Sequence, residues 1–192
     1  MRSNTILTSI VAGALLLGLA GCADSQATAD PAPPSTGDAP SGDGAALGAE
    51  DGLSTDGALF TLDDDLPAIA NLDPELREAL DAASLAAAQD DVTFSFTDAW
   101  RSARYQQHLY DQALLQYGSE EEARRWVKPP DQSRHVSGQA VDVYSANAMD
   151  WLNRFGADYG LCQIYANEMW HFEYVEGVSE ECPQQLPDSS AG

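Results

Sequence analysis

The chain has 192 residues, enough for one ordinary domain and some spare length. Thirty-one acidic side chains against nine basic ones give a formal net charge of −22, a field that repels polyanions and excludes DNA or RNA as a partner. Six of the nine bases, Arg101, Arg104, Arg124, Arg125, Lys128 and Arg134, share one stretch, which suits either a small carboxylated ligand or plain solvation.

In chain order, Arg2 and the amino terminus precede a mostly apolar run from Ile6 to Ala20 that closes on small residues at Cys22. The run is shorter than the ~20 residues of a comfortable membrane span and reads as an export signal over residues 1–22. Its ending, Leu19-Ala20-Gly21-Cys22, resembles the lipobox of bacterial lipoproteins, which implies lipid attachment at Cys22, membrane anchoring and a position facing the cell wall; the plainer alternative is a simple secretory signal. Residues 23–56 hold seven acids, no bases and no aromatics, too little apolar surface to order themselves, and are expected to form a tether. If Cys22 carries lipid, Cys162 and Cys182 remain as an even pair in an exported chain and are predicted to form a disulfide.

The folded domain is expected over residues 57–182, followed by a flexible tail at 183–192. Asp73 as a cap and Pro74 at the first helical position open a helix through the Ala-rich stretch to Gln89. Val92, Phe94 and Phe96 alternate with Thr93, Ser95 and Thr97, the period of a strand with one buried face. Tyr105, Leu109 and Ala113 mark an amphipathic helix ending at Gly118. A short helix over the acidic "SEEEARRWV", one stopped at Gly160 and a strand over "MWHFEYV" complete an α+β domain, a small antiparallel sheet flanked by helices.

Two segments carry the chemistry. "SRHVSGQAVDVY" holds His135, Gly138 and Asp142. Seven residues would separate His135 from Asp142 by about 23 Å if extended, so the chain must fold back for both to share an ion, and Gly138 permits it. In "NEMWHFEY", strand alternation puts Met169, His171 and Glu173 on one face and Trp170, Phe172 and Tyr174 on the other. Glu168 must then precede the regular strand, or sit on a bulge, to face the same point as His171. Two histidines, an aspartate and a further glutamate are the inventory of a hydrolytic zinc centre.

With these residues in view, the chain resembles the zinc D-alanyl-D-alanine carboxypeptidases of the VanY-like type, which share a hedgehog-like fold with dipeptidases and phage endolysins. The family pattern SxHxxGxAxD matches Ser133, His135, Gly138, Ala140 and Asp142; ExWHF matches Glu168, Trp170, His171 and Phe172; an Arg-Ser pair with a following Gln matches Arg101, Ser102 and Gln106. The resemblance implies one zinc ion on His135, Asp142 and His171, Glu168 as general base, Arg101 at the substrate or the developing oxyanion, and Gln106, Ser133 and Trp170 as substrate contacts. It also implies an enzyme that removes terminal D-Ala from peptidoglycan stem peptides at the cell envelope, and the chain is expected to be monomeric. Cleavage between L-Ala and D-Glu, dipeptidase action, or a non-catalytic zinc domain that binds cell wall are the alternatives. Met169 stands where proline is common and the segment before ExWHF is short, so substrate preference is less determined than chemistry.

Overall fold

A computed structural model describes residues 46–54 and 57–192. The export signal, Cys22 and residues 23–45 of the tether lie outside the described residues.

Four strands form one antiparallel sheet: β1 (Ser95–Asp98), β2 (Ala140–Tyr144), β3 (Leu161–Gln163) and β4 (His171–Tyr174), in spatial order β1-β2-β4-β3. Among the described residues five α-helices surround it: α1 (Pro67–Ala70), α2 (Pro74–Ala87), α3 (Ala103–Tyr117), α4 (Glu120–Ala123) and α5 (Ala146–Phe155). This is the expected α+β architecture. The local signals act as read: Asp73 accepts the Glu75 N–H as the α2 cap, and Gly118 ends α3 at φ +73°. The strand from "DVTFSFTD" is shorter than its alternation, beginning at Ser95.

The sheet has two unlike faces. Phe96, Val141, Val143 and Phe172 project into the main core with Leu76 and Leu80 of α2, Leu152 of α5 and Leu161. Each such buried side chain contributes roughly 1.5–3 kcal/mol. The opposite face carries Asp142, His171 and Glu173, all buried although polar. A smaller core of Tyr105, Leu109, Tyr110, Ala113, Ala123 and Val127 joins α3 to α4.

Two boundaries differ from expectation. The tether was expected to run to Asp56, yet Asp51 is buried. Its carboxylate accepts the Ser102 hydroxyl at 2.7 Å and pairs with Arg104, while its carbonyl accepts the Ser102 N–H at 2.8 Å. Composition alone favours disorder here; the partners that order Asp51 lie 51 and 53 residues away. The stretch expected to be a flexible tail at 183–192 is likewise docked, with Asp188 and Ser189 buried. A disulfide joins Cys162 to Cys182, Cα atoms 5.6 Å apart, and it delivers this segment to the domain surface beside β3.

Candidate active site

Asp142 and His171 are direct partners across the β2–β4 ladder. Because side chains alternate along a strand, both project from the face opposite Val141 and Phe172. His135 arrives through the turns before β2. There Gly138 adopts φ +73°, and a Cβ on it would stand 2.5 Å from the Asn71 carbonyl oxygen and 2.7 Å from the Asp73 nitrogen. The Gly138 carbonyl meanwhile accepts the Asp73 N–H at 2.9 Å, so the turn is stitched to the start of α2 and only glycine fits it.

The three side chains converge. His135 Nε2 lies 3.2 Å from His171 Nδ1 and 3.4 Å from Asp142 Oδ1, and His171 Nδ1 lies 3.2 Å from Asp142 Oδ1. Ligands about 2.1 Å from a tetrahedral ion stand about 3.4 Å apart, so these separations fit one shared cation. The far nitrogens are also engaged: His135 Nδ1 is 2.7 Å from the Ala99 carbonyl oxygen and His171 Nε2 is 3.1 Å from Glu173 Oε1. With N–H donated to those oxygens, His135 Nε2 and His171 Nδ1 are left with lone pairs facing the common point, an assignment that follows from the partners.

Electrostatics point the same way. Burial works against a charged His171, yet its hydrogen bonds to Asp142 and Glu173 push its pKa up to about 10. Burial would raise Asp142, but His135, His171 and Arg101 hold it well below the usual carboxylate range. Around the His171 imidazole the protein has assembled carboxylates that favour a positive charge.

Glu168 sits in the turn before β4, where its carbonyl accepts the His171 N–H at 3.1 Å. Burial, opposed by His171, pushes its pKa up to about 7. Its Oε1 is buried and has no hydrogen-bond partner among the described residues. A buried carboxylate oxygen without a partner is costly, and its retention fits a group kept free for a ligand or a proton.

Arg101 is held on three sides. Its Nη2 donates to Asp142 Oδ2 at 2.6 Å, its Nη1 donates to Gln106 Oε1 at 3.2 Å, and its Nε is 3.0 Å from Asp98 Oδ2. Taking the outer oxygen of Asp142 leaves Oδ1 turned to the imidazoles. Gln106, expected at the substrate, is fully buried, and its amide nitrogen donates to the Lys128 carbonyl at 2.8 Å; it is placed to hold Arg101. Ser133 is buried two residues before His135, and Trp170 is half-buried at the entry to β4, its carbonyl accepting the Val143 N–H at 2.8 Å.

Sequence reasoning did not single out Asp98 or Glu173. Glu173 was within reach of it, since alternation already places that residue on the His171 face. Asp98 was not: a register shift between Phe96 and Asp98 lets it, rather than Thr97, face Asp142 across β1–β2.

The family described as VanY, D-alanyl-D-alanine carboxypeptidase, matches residues 69–177. This chain belongs to that family. It is therefore an enzyme of the peptidoglycan metallopeptidase class. Several solved structures are similar, two of them as follows. One is a vancomycin-resistance D,D-pentapeptidase VanY variant from a VanB-type cassette in complex with Zn(II), with TM-score 0.51, 23% identity, and coverage of 61% of this chain and 78% of that one. The other is VanYB in complex with D-alanine-D-alanine, with TM-score 0.50, 25% identity, and coverage of 54% and 71% respectively. The first establishes the shared fold. No match was found among curated proteins.

Proposed function

We propose that this chain is a zinc-dependent D,D-carboxypeptidase that removes the terminal D-Ala from peptidoglycan stem peptides. The observation that carries this reading is the convergence of His135 Nε2, Asp142 Oδ1 and His171 Nδ1 beside Glu168, a buried carboxylate with one unpartnered oxygen. The complex of the similar VanYB with D-alanine-D-alanine supports the choice of bond.

His135, Asp142 and His171 would hold the ion, with Glu173 and the Ala99 carbonyl fixing the imidazole orientations. A zinc ion bound there supplies a Lewis acid for the scissile carbonyl and lowers the pKa of water toward 7. Glu168 takes the proton from the attacking water and returns it to the departing amine, work suited to a carboxylate whose pKa burial has raised to about 7. Arg101, pinned by Asp98, Gln106 and Asp142, fixes a positive charge beside the carbonyl, where it favours charge that develops during attack. Ser133, two residues before His135, and Trp170, next to His171, are the further candidates for substrate contact.

The export signal and the Leu19-Ala20-Gly21-Cys22 ending support an exported enzyme anchored by lipid at Cys22 and facing the wall, with residues 23–45 as spacer. The test is to incubate the purified protein with muropeptides, with and without a chelator, and to identify products by mass spectrometry. Loss of one terminal D-Ala, abolished by chelation and restored by zinc, is the expected result. Release of D-alanyl-D-alanine as a dipeptide, or a cut between L-Ala and D-Glu, would overturn the choice of bond; intact muropeptides would overturn the activity.

A further inference from the structure

Residues 178–192 lie beyond the stretch that matches the family, yet they contact the segment that carries Glu168. That segment, residues 164–170, belongs to no strand or helix. Within it, the Glu168 N–H is bonded at 3.3 Å to the Tyr165 carbonyl, so the position of Glu168 depends on what holds Tyr165 and its neighbours.

The returning chain holds them. Leu186 pairs with Tyr165 in a parallel bridge, its N–H donating to the Ile164 carbonyl and its carbonyl accepting the Ala166 N–H, both at 2.8 Å. Asp188 Oδ2 pairs with Arg125 Nε at 2.9 Å, and the Ser189 hydroxyl donates to the Arg124 carbonyl at 2.8 Å. Asn167, next to Glu168, donates to the Arg125 carbonyl at 2.8 Å. The same residues after α4 thus grip both the loop and the segment that braces it. Ser189 itself borders the Glu168 carboxylate, and the Tyr165 ring lies on the His171 ring, centroids 5.3 Å apart.

We propose that residues 183–190, delivered by the Cys162–Cys182 bond, form a strap whose Leu186, Asp188 and Ser189 position Glu168 for proton transfer. The inference rests on the reading of Glu168 as the base. Among the described residues the strap's hydrogen bonds and ion pairs go to residues 124, 125, 164 and 166 and not to the three metal-binding side chains, so its loss acts on the proton-transfer step and leaves the ion in place.

The test uses the full chain carrying Asp188→Ala with Ser189→Ala, assayed for stem-peptide hydrolysis, bound zinc and amide hydrogen exchange over residues 164–170. The expected result is kcat lower by about 10- to 100-fold, the scale of a misplaced catalytic group, with KM within about twofold, one zinc retained per chain, and faster exchange at Ala166. Unchanged kcat, or a rise that would make the strap a cover, overturns the proposal. Should the parent chain hydrolyse no stem peptide, the proposed function fails by itself, and exchange still decides the strap: unaltered protection at Ala166 overturns it. Leu186→Pro, which removes the N–H given to Ile164, repeats the test where the double variant fails to fold.

Discussion

The two halves of the site are built differently. Asp142 and His171 are opposed residues of adjacent central strands, so sheet register alone brings them together. Glu168 stands on an irregular loop, and its position rests on contacts with residues 125 and 186, neither of them in a strand or helix. A ladder sets distances for every residue in it at once, whereas a loop is only as well placed as its individual tethers. The ion-binding half should therefore tolerate change in the periphery, while the proton-transferring half should answer to it.

Substitutions can break this division. The largest effect is expected for His171→Ala, which removes one of the converging atoms and takes the imidazole away from Glu173 Oε1: bound zinc by mass spectrometry and turnover should both fall to background. Glu168→Ala should separate the halves, keeping zinc while turnover falls about 10²–10⁴-fold, the usual contribution of a positioned base; undiminished turnover would remove Glu168 from the mechanism. Glu173→Gln keeps a hydrogen-bond acceptor for His171 but removes its charge, and zinc affinity measured by competition with a chelating dye should weaken by up to about 10- to 100-fold. The smallest effect on chemistry should follow Cys162→Ser with Cys182→Ser. Opening a loop of sequence separation 20 should cost on the order of 3 kcal/mol and lower Tm; an unshifted melt would leave the bond without a stabilising role.

What could be read from the sequence follows the same line. Period-two alternation puts His171 and Phe172 on opposite faces of one strand, and the need for Glu168 to precede that strand, or sit on a bulge, follows from it; β4 begins at His171. Gly138 was legible as a reversal, although the reason no other residue fits, the backbone of Asn71 and Asp73 packed against it, belongs to the tertiary structure. Asp98 escaped because a bulge is invisible to periodicity. Asp51 and Asp188 escaped for a related reason: each lies in a polar stretch of low apolar content, and each is ordered by an arginine distant in sequence, Arg104 or Arg125. Gln106 was found as a motif residue, but its burial and its two bonds, to Arg101 and to the Lys128 carbonyl, give it a supporting place that the motif does not encode.

The central claim is that one ion joins the turn before β2 to the β2–β4 ladder. Anomalous diffraction at the zinc edge from crystals of the zinc-loaded protein tests it most directly. The account predicts a single peak about 2.0–2.2 Å from His135 Nε2, Asp142 Oδ1 and His171 Nδ1, with Glu168 close by and outside the ligand set. A fully loaded crystal whose zinc lies elsewhere, or is held without one of those three atoms, would contradict it.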